Sequence, residues 1–218
     1  MAVDGAADDG AGGAKPAVAI ALGANLGEPA ATLIAVRPLL ASACRSWWQA
    51  NQTAAPACQL RWSPLFRTAP VGGPAGQPPY LNAAVVLMLA GPGPGWGEPG
   101  GGAGGWGEAA AALLERLQAL ERQFGRLRRE RWGPRSLDLD LLWCGPDPVE
   151  RPGLSLPHPR LQERSFVLAP LAAIDPGLRP PGPTADHAPP VAERLQALLP
   201  QLEEPAPERL AGRGGWPE

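Results

Sequence analysis

Lysine is nearly absent from this chain of 218 residues, in which Lys15 is the single example. A Walker-type phosphate loop places its lysine directly before serine or threonine, whereas Lys15 is followed by Pro16. The sequence therefore excludes that class of nucleotide site, and any nucleotide has to be held by other groups.

Cysteines and long apolar runs are also scarce. The three cysteines, Cys44, Cys58 and Cys144, are odd in number and form no C-x-x-C pair, which disfavours a disulfide framework and a zinc site. No run of about 18 apolar residues is present, and residues 1–14 are acidic and rich in Gly and Ala, unlike a signal peptide. We expect a cytoplasmic protein that has no membrane partner.

Neither sign of charge dominates, since 21 acidic residues oppose 19 basic ones. A net charge of -2 gives no general polyanion-binding surface, so the sequence favours a small anionic ligand and no nucleic acid. Gly and Pro, with 28 and 29 residues, approach the level at which low-complexity segments are expected. We predict a disordered extension at 1–15, a domain at 16–175 with a flexible Gly-rich insertion at 91–107, and a Pro-rich segment and tail at 176–218.

An arginine-rich segment leads directly into two aspartates at residues 125–140, GRLRRERWGPRSLDLD. Asp138 and Asp140 alternate with leucines, and this period of two predicts a strand with both carboxylates on one face. Paired carboxylates suit Mg2+, and guanidinium groups suit the phosphate oxygens that accompany Mg2+. A phosphate-transfer site is the first hypothesis, and a solvated sheet face beside a solvated loop is the alternative. The arginines are Arg126, Arg128, Arg129, Arg131 and Arg135.

Apolar patterns elsewhere predict a mixture of strands and helices. Strands are expected at 16–22, 80–89 and 137–143, and a strand end followed by an ordered loop at 65–76. Helices are expected at 29–43, where Pro38 should kink or shorten the helix, at 108–124 and at 191–202. The remaining predictions are a loop that leads into a second strand at 45–63 and a frayed tail at 203–218.

Three polar positions keep two interpretations each. Asn82 interrupts an apolar strand and is either an edge-strand amide bonded to backbone or a ligand contact. Gln118 and Glu121 share a helix face, which either stays solvated or faces the same ligand as the arginines. His158 lies between two prolines and is either a hydrogen-bonded structural group or part of the site.

Four sequence blocks occur in the order found in the 6-hydroxymethyl-7,8-dihydropterin pyrophosphokinases of folate biosynthesis, and residues 18–174 resemble that family. The blocks are ALGANLGEP at 21–29, FRTAPVGGPAGQPPYLNAAV at 66–85, LERQFGRLRRERWGPRSLDLDLL at 120–142 and LPHPRLQERSFVLAPL at 156–171. The resemblance implies an α+β fold, a ferredoxin-like α/β sandwich with an antiparallel central sheet flanked by helices. It also implies an ATP-dependent diphosphokinase that transfers pyrophosphate from ATP to the pterin hydroxymethyl group and leaves AMP.

The resemblance further implies a role for each matching residue. Asp138 and Asp140 would hold two Mg2+ ions, and Arg126 and Arg135 would clamp the transferred pyrophosphate. The implied ATP-binding residues are Gln118, Glu121, Arg128, Trp132, Arg135, His158 and Arg164. The implied pterin-binding residues are Thr68, Pro70, Val71, Gly72, Tyr80, Asn82 and Phe166, with the two aromatic rings stacked on the pterin. We expect a monomer whose partners are ATP and the pterin.

Two positions depart from the family pattern, since Ala24 stands where serine is common and Ala69 where proline is frequent. A two-metal phosphodiesterase or nuclease is one alternative, but it would need more carboxylates or histidines beside the aspartate pair. A non-catalytic ferredoxin-like nucleotide-binding module is the other. Loss of either aspartate or of Arg135 would have favoured that module, and all three residues are present.

Overall fold

The computed structural model of the protein describes residues 15–51, 58–89, 104–125, 133–181 and 188–217. Its strands are β1 (Lys15–Ala24), β2 (Cys58–Trp62), β3 (Phe66–Thr68), β4 (Tyr80–Leu89), β5 (Asp138–Cys144), β6 (Val149–Arg151), β7 (Leu154–Leu156) and β8 (Glu208–Arg209). Its helices are α1 (Pro29–Ala50), α2 (Gly104–Gln123), α3 (Ser165–Ile174) and α4 (Val191–Leu198), with 3₁₀ turns at Leu161–Glu163 and Leu199–Gln201. The predictions for residues 1–14 and 91–103 lie outside the described residues.

The central sheet is antiparallel, as expected, and has the strand order β5-β1-β4-β3-β8. Strands β2 and β3 pair one after the other with the same edge of β4, β3 with residues 80–82 and β2 with residues 85–89. Strands β6 and β7 form a separate hairpin. The predicted strands at 16–22, 80–89 and 137–143 are confirmed as β1, β4 and β5 apart from their ends.

Both faces of β4 are buried, which explains its unbroken apolar run. Val85 and Leu87 join a core formed with α1 and α2, whereas Val86 and Met88 join a second core formed with α3 and α4. Helices therefore flank the sheet on both faces. No described helix has the length and apolar character required to cross a bilayer.

Helix α1 is longer than its sequence predicts, because it continues through Pro38 and ends at Ala50. Trp47 and Trp48 are almost wholly buried, and the Trp47 indole Nε1 donates to the carbonyl of Ala109 in α2 at 2.7 Å. Burial of two indoles offsets the hydrogen bond that proline removes. Of the two effects predicted for Pro38, a kink or a shortening, the shortening was therefore wrong, as was the loop predicted to begin at residue 45. Helix α2 likewise begins before residue 108, so residues 104–107 of the predicted flexible insertion are helical.

The prediction of a frayed C-terminal tail was also wrong. Glu208 and Arg209 form β8 along the edge of β3, and Trp216 is buried against the sheet. Its indole Nε1 donates to the carbonyl of Ser63, which lies 153 positions earlier in the chain. Local periodicity carries no information about a partner so distant. The predicted helix at 191–202 is confirmed as α4 followed by a 3₁₀ turn.

Candidate active site

Three strands bring small or polar residues level at one end of the sheet. Gly23 of β1 is in register with Asn82 of β4 on one side and with Asp138 of β5 on the other. A Cβ at Gly23 would lie 2.8 Å from Asn82 Oδ1, so only glycine lets the amide approach β1 this closely. The result is a row of polar groups across the sheet without bulky side chains between them.

The two aspartates lie on one face of β5, as the alternation predicts, and Leu139 between them is buried on the other. Asp138 forms an ion pair with Arg135, and the Asp140 Oδ2 lies 3.1 Å from Arg164 Nη1. All four side chains are partly buried, so water screens these pairs less than it would on an open surface. Alternating carboxylates and guanidinium groups can bind a polyphosphate together with its cations.

A cavity of about 90 Å³ opens beside the aspartates. Tyr80 and Phe166 contribute aromatic rings to its wall, and Asn82 Nδ2 donates to Thr68 Oγ1 at 2.7 Å. Asn82 is buried in an interior strand, which excludes the edge-strand interpretation. Aromatic walls with a polar floor suit a flat ring that carries polar groups. The remaining lining residues are Ala69, Pro70, Val71, Gly72, Gln77, Arg135, Asp138, Asp140, Arg160 and Arg164.

A second cavity, of about 460 Å³, shares Asp140 with the first. It is bordered by α2, by the end of the β6–β7 hairpin and by the segment that contains His158. Two cavities that meet at one carboxylate provide room for two ligands with an acidic group between them. The lining residues are Leu114, Gln118, Glu121, Leu139, Asp140, Leu141, Arg151, Gly153, Leu154, Ser155, Leu156, His158 and Pro159.

Glu121 is almost fully buried, which excludes the solvated interpretation for this residue. Its Oε1 accepts a hydrogen bond from the backbone N–H of Leu139 at 2.8 Å. The carboxylate thereby ties α2 to the backbone between the two aspartates. Gln118 of the same helix lines the second cavity.

His158 is held by backbone on both sides. Its backbone N–H donates to the carbonyl of Leu142 in β5 at 2.7 Å, and its imidazole Nδ1 accepts from the backbone N–H of Arg160 at 3.1 Å. Burial lowers the pKa of His158 from 6.5, although the nearby Asp140 carboxylate opposes that shift. A neutral imidazole therefore faces the second cavity near neutral pH.

Asn25 holds the segment that carries Arg135, a role that the sequence did not reveal. Its Oδ1 accepts from the backbone N–H of Arg135 at 2.7 Å, and its backbone N–H donates to the carbonyl of Arg135 at 3.0 Å. Its Nδ2 donates to the carbonyl of Pro78 at 3.1 Å. One buried amide thus joins the β1–α1 turn, the Arg135 segment and the loop before β4. The only signal was its presence in the block at 21–29.

The structure brings most of the predicted residues together around the two cavities. Arg126, Arg128 and Trp132 lie outside the described residues. Arg160 was not among the predicted site residues, although it belongs to the block at 156–171 and lines the first cavity. Its Nε lies 3.5 Å from Glu163 Oε2 in an exposed ion pair.

The donor set can be tested against the metal that the aspartates suggest. Within the described ranges, no group of three or more His, Cys, Asp or Glu side chains is placed to hold a metal ion. Magnesium typically keeps several waters and takes one or two carboxylates together with substrate phosphates. Two aspartates therefore fit Mg2+ that arrives with a nucleotide, and they disfavour a nuclease, which would need further protein ligands.

Comparison with known proteins gives one consistent result. Residues 107–176 match the family model described as 7,8-dihydro-6-hydroxymethylpterin-pyrophosphokinase. The 2-amino-4-hydroxy-6-hydroxymethyldihydropteridine pyrophosphokinase of Pseudomonas aeruginosa is 37% identical over 164 residues, which cover 75% of this chain and 83% of that protein. The Bacillus subtilis protein of that name is 36% identical over 155 residues, 71% of this chain and 75% of that protein. The Synechocystis protein is 40% identical over 116 residues, 53% of this chain and 50% of that protein.

Proposed function

The chain belongs to the 7,8-dihydro-6-hydroxymethylpterin-pyrophosphokinase family, and we propose that it transfers the terminal pyrophosphate of ATP to the hydroxymethyl group of 6-hydroxymethyl-7,8-dihydropterin in folate biosynthesis. The observation that carries the site assignment is the position of Asp140, which lines both cavities. A transfer between two substrates requires their reacting ends to meet, and Asp140 marks that meeting place.

The first cavity is the pterin site. Tyr80 and Phe166 stack on the flat ring, while Asn82 and Thr68 bind its polar edge through groups that already hydrogen-bond to each other. Pro70, Val71 and Gly72 form the adjoining loop wall. Gly23 leaves the space that the Asn82 amide needs beside β1.

The second cavity holds the nucleotide. Gln118, Glu121 and His158 border it. Arg164 forms an ion pair with Asp140, which also lines this cavity. Arg128 and Trp132, together with the pyrophosphate-clamping Arg126, complete this side by similarity to the family. Arg135 both binds ATP and clamps the transferred pyrophosphate in this proposal. It pairs with Asp138 beside the pterin cavity.

Asp138 and Asp140 would hold two Mg2+ ions, which when bound would neutralise phosphate charge and orient the polyphosphate. The hydroxymethyl oxygen forms a bond to the β-phosphorus and gives up its proton to water or to a phosphate oxygen of the nucleotide, while the bond from that phosphorus to the oxygen that bridges to the α-phosphorus breaks. AMP leaves and the pterin diphosphate forms. Arg135 binds the moving group, and Asn25 keeps Arg135 in place.

The fold is ferredoxin-like. With β2 and β3 counted as one interrupted edge strand, the chain order is β1, α1, β2–β3, β4, α2 and β5, and the sheet order is β5-β1-β4-β3. This is a βαββαβ arrangement with α1 and α2 packed together, which supports the assignment. The enzyme acts as a monomer without nucleic-acid partners.

The test is to incubate the purified protein with ATP, Mg2+ and 6-hydroxymethyl-7,8-dihydropterin and to separate the nucleotide products. AMP that forms only when the pterin is present supports both the transfer and its acceptor. ADP would instead indicate an ordinary kinase. Nucleotide binding without a pterin-dependent product would indicate a non-catalytic binding module.

A further inference from the structure

We propose that the C-terminal segment at residues 208–217 is a positioning element for the pterin cavity, and that Trp216 is its anchor. The inference rests on the proposed function, because it concerns the same cavity. The segment lines neither the pterin cavity nor the nucleotide cavity. It acts through β3, the short strand that ends at the cavity floor.

Backbone pairing attaches the segment to β3. Arg209 pairs with Phe66 and Glu208 with Arg67, and the N–H of Leu210 donates to the carbonyl of Leu65 at 2.9 Å. The Arg67 and Glu208 side chains also form an exposed ion pair. Without β8, the three-residue strand β3 would be an open sheet edge with one neighbour.

Trp216 fixes the far end of the segment. Its indole Nε1 donates to the carbonyl of Ser63 at 2.8 Å, and its ring packs edge-on against Trp62 with 5.6 Å between centroids. The Arg37 guanidinium lies 5.6 Å from the Trp62 ring centroid, and its Nη1 donates to the carbonyl of Gly215 at 3.0 Å. A buried indole with a satisfied donor is a strong local anchor, since it combines apolar burial with a specific bond.

The attachment reaches the cavity through a short path. Ser63 precedes β3, and its Oγ accepts from the N–H of Ala84 in β4 at 2.9 Å. At the other end of β3, Thr68 accepts from Asn82 Nδ2 and begins the loop that forms the cavity wall. Trp216 therefore restrains the N-terminal end of β3, and the C-terminal end of the same strand carries Thr68, a proposed pterin contact.

The experiment compares Trp216→Ala with Trp216→Phe, which keeps an aromatic ring against Trp62 but loses the donor to Ser63. We expect the KM for the pterin to rise roughly three- to thirtyfold in the alanine variant, the effect typical of residues that act on a ligand through others. The phenylalanine variant should give a smaller rise. The KM for ATP and kcat should stay near the wild-type values, and amide hydrogen exchange should accelerate at residues 66–72.

Leu178→Ala is the matched control, because it truncates a buried side chain in the core of α3 and α4, away from the segment and both cavities. It should lower the melting temperature without changing the KM for the pterin. An unchanged pterin KM and unchanged exchange at 66–72 in Trp216→Ala would overturn the proposal, as would an equal rise of both KM values that Leu178→Ala reproduces. If the alanine variant does not fold, the phenylalanine variant decides by the same measurements.

The two proposals fail in different ways. A wild-type protein that forms no AMP contradicts the proposed function, whereas hydrogen exchange at 66–72 still shows whether Trp216 restrains β3. Active wild-type protein with no effect at Trp216 contradicts only the positioning role.

Discussion

Each site aspartate is paired with an arginine, so both carboxylate charges are compensated before any ion or phosphate enters. Arg135 lies beside Asp138, and Arg164 lies 3.1 Å from Asp140. A bound metal ion would replace the arginines as partner of the carboxylates, and phosphate oxygens would replace the carboxylates as partners of the arginines. Each new pair also joins opposite charges, and it is stronger than the pair that it replaces. We therefore expect the aspartates to matter for turnover far more than for folding.

Asp140→Asn tests this difference directly. It keeps the side-chain shape but removes the charge that a cation requires, and we expect kcat to fall at least about a hundredfold. Because Arg164 and Asp140 are only partly buried, the free energy of unfolding should change by no more than about 1 kcal/mol. Initial rates at saturating Mg2+ and a urea melt measure the two quantities. Asp147→Asn, at an exposed position, is the control and should leave both unchanged. Substantial activity in Asp140→Asn would contradict the metal assignment.

His158 should make stability depend on pH. Burial lowers its pKa in the folded protein below 6.5, so the unfolded chain binds a proton more readily in the interval between the two values. Stability contributed by the neutral imidazole is therefore present above pH 6.5 and is lost as the pH falls through that interval. His158→Asn, whose amide oxygen can replace Nδ1 as acceptor for Arg160, should show a smaller loss. Urea midpoints above and below pH 6.5 measure the difference, and equal pH dependence in both proteins would contradict it.

At the scale of single elements, β1 lies between the strands that carry Asn82 and the two aspartates, and its residues there are small. Gly23 lies between Asn82 and Asp138, and Ala21 lies between Ala84 and Asp140. Larger side chains at these positions would fill the space that the neighbouring polar groups occupy. Packing therefore explains the small residues in the block at 21–29, in addition to the turn that this block forms.

Gly23→Ala should damage the pterin cavity in particular. The added methyl group would lie 2.8 Å from Asn82 Oδ1, so the amide has to move and its 2.7 Å bond to Thr68 should weaken. We expect a loss of about 1–3 kcal/mol of stability, which is typical of overpacking. The KM of the variant for the pterin should be higher than that of the wild-type protein. Gly105→Ala is the control, because nothing lies within 4 Å of its added methyl group and alanine favours the helix. Steady-state kinetics and thermal melts of both variants test this. Wild-type kinetics in Gly23→Ala would show that the amide does not have to stay in place.

For the whole molecule, the sequence predicted those features that repeat locally. The alternation around Asp138 and Asp140 placed both carboxylates on one face, and the apolar run of β4 was correctly assigned to a strand. The features that it missed depend on distant partners. Asn25 and Arg135 are 110 positions apart, and Trp216 and Ser63 are 153 positions apart. Helix α1 continues past Pro38 for a related reason, because no local sequence pattern predicts the hydrogen bond from Trp47 to α2.

The pairing of both aspartates with arginines also predicts how ligands stabilise the whole protein. Mg2+ alone would have to separate two aspartates from their arginines with no phosphate to receive the guanidinium groups, so it should bind weakly. ATP supplies the phosphates and the remaining Mg2+ ligands, so the two together should raise the melting temperature by roughly 5–10 °C at ligand concentrations well above Kd.

Differential scanning fluorimetry with Mg2+, with ATP and EDTA, and with both Mg2+ and ATP measures this coupling. Only the combination should give the full shift, and Asp140→Asn should lose most of it while Asp147→Asn keeps it. A shift of equal size with Mg2+ alone would mean that the two carboxylates form a complete metal site. The cation would then precede the nucleotide, and the arginine pairs would have no part in coupling the two.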